Sequence, residues 1–279
     1  MLLTSKSNPH LKHLLSLNKK KNRDKEKLFL IEGKREITRA LQCDLSPHSL
    51  FESTENKIFL SNINKKNVGI DQPKFPSSPR RGKPVIRLGW CECPNYTLPP
   101  TLFAKISYRQ NPAGHIAIFY QPDTDIKNIK LNQKSLTLVI ESPEKPGNVG
   151  ALLRTADAVG VDNIIITNPN LDLFNPNVIR SSAGAFFSQP IYLSDNQTTI
   201  NTLQKNKTNI ICTTPQAAKY YHEIKYQKPL AIIAGAEDKG LSEKWLEAAN
   251  TKIKIPMKGI ADSLNLSVAT AIVLYEAIK

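Results

Sequence analysis

Ile255-Pro-Met-Lys-Gly-Ile-Ala-Asp-Ser-Leu-Asn-Leu-Ser-Val-Ala-Thr-Ala-Ile-Val-Leu-Tyr-Glu276 is the stretch on which the fold turns. A short apolar strand, Ile253 to Pro256, runs into a Gly-containing loop. Ser263 is then expected to open a helix whose Leu264, Val268, Ala271, Ile272 and Tyr275 share one face. Ser263 and Asn265 lie in that turn, and taken alone they read as caps, because Ser and Asn accept hydrogen bonds from unpaired N–H groups at a helix start. Two stretches upstream repeat the strand, loop and helix form.

The first of these is Leu230-Ala-Ile-Ile-Ala-Gly-Ala-Glu-Asp-Lys-Gly-Leu-Ser242, a buried strand followed by two glycines that bracket Glu237. Gly235 and Gly240 permit a sharp turn or a close approach of backbone to ligand. Glu237 is expected at the carboxyl end of its strand, where open α/β sheets bind ligands. The other is Glu141-Ser-Pro-Glu-Lys-Pro-Gly-Asn-Val-Gly-Ala-Leu-Leu-Arg-Thr-Ala-Asp-Ala-Val-Gly160, with Asn148 and Arg154 six apart near the start of a helix expected over Val149 to Val159. Singly, each stretch is ordinary strand-to-helix punctuation.

Together and in this order they resemble the signature motifs of the SpoU/TrmH family of RNA ribose 2′-O-methyltransferases, within the SPOUT class. Asn148 with Arg154 matches the first motif, Gly235-x-Glu237-x-x-Gly240-Leu241 the second, and Ile255-Pro-Met with Ser263-Leu-Asn265-x-Ser-Val-Ala the third. The resemblance covers the chain from about Leu136 to its end. It implies a parallel-sheet α/β domain with a deep trefoil knot, S-adenosyl-L-methionine as methyl donor, RNA as substrate and a homodimer formed through this domain. The donor-binding residues it implies are Ala234, Gly235, Gly240, Ile255, Met257 and Leu264, and the catalytic set is Asn148, Arg154, Glu237, Ser263 and Asn265. Arg154 is expected to anchor a phosphate and stabilise developing alkoxide charge, since a guanidinium rarely gives up its proton. The plain alternative for Arg154 is a surface pair with Asp157. Asn148 either meets RNA or caps its helix, and Arg180-Ser-Ser-Ala-Gly184 is expected to line the same mouth.

The rest of the chain fits a nucleic-acid partner. Its 279 residues allow two domains, and 38 Lys+Arg against 24 Asp+Glu give net +14, an excess that points to a polyanion or, more blandly, to a solubilising surface. Residues 1–39 hold +7 of this: Asn8-Pro9 starts a helix with Leu11, Leu14 and Leu15 on one stripe, and Lys19, Lys20, Lys21 and Arg23 follow where that helix should end. Those four, with Arg35, are the expected RNA contacts. Phe29-Leu-Ile-Glu-Gly-Lys-Arg-Glu36 resembles the opening of the small L30e-like α/β substrate-binding domain that accompanies this family. Domains are therefore expected at 1–120 and 136–279, with a polar linker at 121–135. Short strands are expected at Leu50-Phe51, Ile58 to Leu60 and Val85 to Leu88, around a proline-rich basic loop from Gln72 to Pro84.

Several classes of function lack support. G-x-G-x-x-G, G-x-x-x-x-G-K-[ST], H-E-x-x-H and G-x-S-x-G are absent, and Cys43, Cys91, Cys93 and Cys212 show no metal-ligand spacing, so no metal is expected. No apolar run approaches the roughly eighteen residues of a membrane span, and a cytoplasmic protein with reduced thiols is expected. Besides an RNA 2′-O-methyltransferase acting on rRNA or tRNA, two other readings remain open. One is an RNA-binding or ribosome assembly factor that has lost catalysis, and the other a nucleotide-dependent α/β enzyme acting on small molecules.

Overall fold

The computed structural model describes residues 1–56 and 93–279, which form two compact units, Met1–Gln121 and Pro122–Lys279. The strands expected at Ile58 to Leu60 and Val85 to Leu88, and the Gln72 to Pro84 loop, lie outside the described residues.

In the first unit, helix α1 (Pro9–Ser16) starts where Asn8 Oδ1 accepts from His10 N at 2.9 Å, with Pro9 at the first helical position. Its Leu11 and Leu14, with Leu17 beyond, are buried. The basic cluster follows the end of α1, as expected, and Lys20–Glu26 forms a helix of its own, α2, closed by Lys27 in the left-handed region at φ 55°. Strand β1 (Leu28–Glu32), helix α3 (Lys34–Gln42), β2 (Pro47–Ser53), β3 (Asn95–Leu98), α4 (Pro100–Ile106) and β4 (His115–Tyr120) follow. The sheet order is β1-β4-β2-β3, with β4 antiparallel to both neighbours and β2 parallel to β3. Gly33 turns β1 into α3 at φ 118°, a conformation L-residues avoid.

The second unit is a seven-stranded sheet. Its elements in chain order are β5 (Leu136–Glu141), α5 (Pro146–Val159), β6 (Asn163–Thr167), α6 (Pro176–Ser181), β7 (Ile191–Ser194), α7 (Asn196–Lys205), β8 (Asn209–Thr213), β9 (Lys219–Tyr220), β10 (Leu230–Ala234), α8 (Glu243–Ala248), β11 (Thr251–Lys254) and α9 (Leu266–Glu276). The order across the sheet is β7-β6-β5-β10-β8-β11-β9, and every pairing is parallel. β5, β6 and β10 are buried at every residue, as continuous Val/Ile/Leu runs under helices on both faces require. From β5 the chain steps outward to β6 and β7, crosses to β8, and then inserts β10 between β5 and β8. The loops leaving β5 and β10 therefore start side by side at a switch in strand order, which is where such sheets place ligands.

Three expectations are corrected here. The stretch 121–135 is not a free linker: from Pro122 it belongs to the second unit, where Ile126 enters the core beside Val139 and Ile165, and Thr124 O accepts from Leu193 N at 2.8 Å. Polar composition concealed three apolar anchors, Ile126, Ile129 and Leu131. The last helix begins at Leu266 and not at Ser263, and its N-cap is Asn265, whose Oδ1 accepts from Ser267 N at 3.0 Å. Its buried side is Thr270, Val273, Leu274 and Ala277, packed toward α5 and β10, while Val268 and Tyr275 of the expected face are about half exposed (48% and 51%). A helix this uniformly apolar has no polar face to fix its rotation, so periodicity alone pointed the wrong way.

Candidate active site

Pro146 starts α5 three residues earlier than the sequence suggests, since its missing N–H is no loss in the first turn. Asn148 consequently lies inside that turn and caps nothing. Its Nδ2 donates to Glu237 Oε1 at 2.6 Å, and its Oδ1 accepts from Asn265 Nδ2 at 3.2 Å. Lys145 Nζ reaches Glu237 Oε2 at 2.8 Å, while Asn265 Oδ1 accepts from the backbone and hydroxyl of Ser267 at 3.0 and 2.7 Å. One relay, an ion pair from Lys145 to Glu237 followed by hydrogen bonds along Glu237–Asn148–Asn265–Ser267, thus joins three loops distant in sequence. The orientation of the Asn148 amide follows, because only its NH2 end can face a carboxylate.

The second loop is shaped by its glycines. A Cβ on Gly235 would stand 2.5 Å from the backbone carbon of Gly240, so the two chain segments touch there; Ala236 and Gly240 exchange backbone hydrogen bonds at 2.9 and 3.1 Å. Gly240 has open space around it but holds φ +67°, a conformational requirement and not a steric one. Beyond this loop, Ser242 N donates to Glu141 Oε2 at 2.9 Å, and Asn196 Nδ2 to Glu141 Oε1 at 2.5 Å. That clamp fixes the start of α8 to the end of β5 and lines a polar cleft of about 450 Å³ with Asn168 and Asp195.

Glu237 is only 7% exposed at its side chain. Burial pushes its carboxyl up, but the Lys145 ammonium and Asn148 amide outweigh this and hold it below the usual carboxylate range. The same pair pushes the Lys145 ammonium up, led by the hydrogen bond to Glu237. With the Asn148 amide on Oε1 and the Lys145 ammonium 2.8 Å from Oε2, the Glu237 carboxylate is placed to orient those two groups. The third loop, 257–264, leads into Asn265 with Met257 and Ile260 exposed, and among the described residues its backbone makes no hydrogen bond. It offers apolar surface together with unengaged N–H and C=O groups.

Of the residues singled out from sequence, Asn148, Glu237 and Asn265 are brought together; Ala234 ends β10, and Gly235, Gly240, Ile255, Met257 and Leu264 lie on the loops that follow β10 and β11. Ser263 is exposed and takes no part in the relay. Arg154 is exposed on α5, roughly 9 Å along the axis from Asn148 at 1.5 Å per residue. Among the described residues it forms no ion pair with Asp157, whose Oδ1 accepts from Ser188 Oγ at 2.7 Å. Arg180 is exposed, while Ser181 Oγ donates to Pro146 O at 3.2 Å and packs α6 on Gly150. Lys145, which the sequence reading does not single out, signals itself only as a cation in the loop ahead of Asn148, in a chain whose second motif carries the carboxylates Glu237 and Asp238.

In the first unit, Lys19 and Lys21 are exposed and Lys20 pairs with Asp24 at 2.6 Å. Arg35, 60% exposed, rests on buried Glu36 at 2.8 Å. Arg23 is a correction, because it is 3% exposed and its Nη1 donates to Leu17 O at 2.5 Å. It bolts α2 to the end of α1 and presents no charge to solvent.

Residues 135–275 match the SpoU rRNA methylase family, and residues 8–117 match the MRM3-like substrate binding domain. The 23S rRNA (guanosine(2553)-2′-O)-methyltransferase RlmP of Bacillus subtilis (strain 168) is 28% identical over 273 residues, covering 98% of this chain and 97% of that protein. A crystal structure of an RNA 2′-O ribose methyltransferase superposes with a TM-score of 0.78 at 34% identity, covering 100% and 98% of the two chains. The AdoMet-bound rRNA methyltransferase from Sinorhizobium meliloti gives a TM-score of 0.83 at 25% identity over 99% and 97%. With the match spanning half the chain and the three motif loops joined at one site, this protein belongs to the SpoU rRNA methylase family.

Proposed function

We propose that this chain is an S-adenosyl-L-methionine-dependent methyltransferase that methylates a ribose 2′-OH of ribosomal or transfer RNA. The observation that carries the reading is the relay through Asn148, which ties the loops after β5, β10 and β11 into one mouth. The donor fits these loops. Met257 and Ile260 offer apolar contact, the unengaged backbone of 257–264 suits the hydrogen-bonding edge of adenine, and Gly235 keeps the second loop tight. Ala234, Gly235, Gly240, Ile255, Met257 and Leu264 would hold it. When bound, the donor supplies an electrophilic methyl group on a sulfonium.

The side chains of this chain position the reactants. Asn148, Glu237 and Asn265 fix the three loops in one arrangement, and Ser263 on the third loop would bind the donor tail. Arg154, whose guanidinium is bonded to nothing among the described residues, would hold the phosphate next to the target ribose and stabilise the oxygen as it loses its proton to phosphate or water. Lys19, Lys20, Lys21 and Arg35 would bind RNA phosphates through the first unit. The apolar outer side of α9, with Val268 and Tyr275 exposed and Ile278 exposed just beyond its end, supports a homodimer through the second unit, and the insertion of β10 between β5 and β8 accords with a knotted passage of the chain end. A cytoplasmic location fits an RNA substrate; no helix among the described residues is long and apolar enough to cross a membrane.

The test is incubation of purified protein with methyl-labelled donor and total rRNA and tRNA, followed by mapping of 2′-O-methyl positions. Label at a defined ribose is the expected result. Donor binding and RNA binding without incorporation into either RNA would replace this reading with that of an assembly factor.

A further inference from the structure

Edge strand β9 and the turn after it carry a group of side chains that the methyl-transfer site does not use. Tyr220 and His222 hold their rings parallel within 7° at a centroid separation of 5.8 Å, and Tyr221 meets His222 edge-on at 5.1 Å and 87°. Lys254 Nζ sits 5.0 Å from the centre of the Tyr220 ring. The support beneath is rigid. Tyr221 N donates to Lys254 O at 2.9 Å, Glu223 N to Tyr220 O at 3.1 Å, and Tyr220 N to Glu223 Oε2 at 2.7 Å, while Tyr226 OH donates to Tyr221 O at 2.7 Å. His222, Lys219, Lys225 and Lys228 are exposed and Tyr220 is half-buried.

Residues 215–229 together with β11 hold five lysines, Lys219, Lys225, Lys228, Lys252 and Lys254, and a single carboxylate, Glu223, which is bonded back onto its own turn. Lysine on an edge strand commonly serves to keep sheets from pairing edge to edge, and that explains Lys219 and Lys254. It leaves unexplained why an exposed histidine ring and two half-buried tyrosine rings are held at fixed angles among those lysines. Rings with cations around them are the pattern that binds single-stranded nucleic acid, bases stacking on the rings and phosphates meeting the lysines.

We propose that the Tyr220–His222 shelf is a second RNA contact, located on the catalytic unit, that stacks an unpaired base of the substrate close to the reacting ribose. It rests on the reading of the chain as an RNA methyltransferase, and position supports it. Lys254 ends β11, and the next residue begins the 255–264 loop at the mouth. A nucleotide stacked on this shelf lies beside the strand from which that loop departs. Because the turn is already ordered by its own hydrogen bonds, binding immobilises little that was free.

The experiment uses the full chain, a mixed-sequence single-stranded RNA oligomer and total rRNA. Y220A/H222A is expected to weaken oligomer binding and raise the KM for rRNA about ten-fold, the range expected for loss of a stacked base, with kcat and donor affinity unchanged. Y220F, which keeps the ring, is expected to bind as the parent does, and K219A/K225A to flatten the salt dependence of binding. Should Y220A fail to fold, H222A alone carries the test, its ring being exposed. RNA affinity within two-fold of the parent in Y220A/H222A or H222A overturns the proposal, as does a change in oligomeric state at unchanged RNA affinity, which would mark the shelf as a protein contact. A parent that binds RNA through the shelf but methylates none would instead overturn the enzymatic reading and leave the shelf standing.

Discussion

The Asn148 amide donates to the Glu237 carboxylate across 2.6 Å although 89 residues separate them in the chain. The contact exists because β10 is inserted beside β5, so that a helix first turn and a glycine-bracketed loop leave adjacent strands at the same end of the sheet. Asn265, 117 residues beyond Asn148, completes the junction through the other end of the same amide. One small side chain with both a donor and an acceptor therefore reports whether three loops are assembled.

Substitution at Asn148 tests that dependence. Asn148→Ala removes a hydrogen bond to a charged group, worth about 1.5–3 kcal/mol, so donor affinity or methylation rate should fall roughly 10- to 100-fold. Asn148→Asp should do worse, since it sets a second carboxylate against Glu237, which is already held ionised by Lys145. Calorimetric donor titration and single-turnover rates check both. If Asn148→Asp equals the parent, the junction is not what organises the site.

Glycines in the loops should divide by cause. Gly235→Ala drives a Cβ to 2.5 Å from backbone and is expected to lower stability by about 1–3 kcal/mol and abolish donor binding. Gly240→Ala meets no atom within 4 Å but stays at φ +67°, so a loss of about 1 kcal/mol is expected. Gly259→Ala has neither problem, and its stability should stay within about 0.5 kcal/mol of the parent. Urea denaturation of the three variants gives the ranking directly.

Much of this architecture is legible in the sequence, and the failures have physical reasons. Buried parallel strands are legible as Leu136 to Glu141, Asn163 to Thr167, Asn209 to Thr213 and Leu230 to Ala234, because each is a five- or six-residue segment built on at least three consecutive apolar residues and bounded by turn residues, which admits few other readings. The partners within the site were legible only as three separate motifs; nothing local to Asn148 says that its amide faces a carboxylate 89 residues away. Helix starts were misjudged at Pro146 and Leu266, where capping cues are shared by neighbouring residues. Arg23 was misjudged because a cation in a basic run gives no sign of which face it takes on a helix that periodicity could not detect in seven polar residues.

Arg154 separates catalysis from folding. It is exposed and bonded to nothing among the described residues, so Arg154→Ala should change stability by less than about 0.5 kcal/mol. Methylation should nevertheless fall on the order of 100-fold or more, the scale of losing one group that stabilises developing charge. Arg154→Lys keeps the charge but loses the planar fork, and should recover RNA affinity more fully than rate. Near-parental kcat in Arg154→Lys would remove Arg154 from the proposed mechanism.

Cys212 offers a readout of the core with a defined pH sign. Burial, and then the charge of Glu141, push its thiol from 9.0 up to about 12, and its Sγ donates to Trp245 O at 3.3 Å. Alkylation at about pH 8 followed by peptide mapping should therefore leave Cys212 unmodified in the native protein and label it on unfolding. Because the folded value is raised, the thiol is neutral in both states below about 9, and above that only the unfolded state ionises. Stability should accordingly fall faster in the parent than in Cys212→Ala between about pH 9 and 12, as urea midpoints would record.

Arg23 and its basic neighbours should respond oppositely to substitution although they are adjacent in sequence. Arg23→Ala leaves Leu17 O without its buried donor and is expected to destabilise the first unit by about 2 kcal/mol, with the salt dependence of RNA binding unchanged. Replacing Lys19, Lys20 and Lys21 together by alanine should spare stability, since these side chains reach solvent and their one ion pair among the described residues, Lys20 with Asp24, is an exposed pair within one helix. What it should reduce is the slope of log affinity against log salt, by roughly 0.7 to 0.9 for each phosphate that the lysines no longer neutralise. Thermal melts and RNA titrations at two or more salt concentrations distinguish the two effects. An Arg23→Ala variant that keeps its melting temperature but loses salt-dependent affinity would mean that this guanidinium leaves its buried seat to meet RNA, and the bolt between α1 and α2 would then have to be read as a latch.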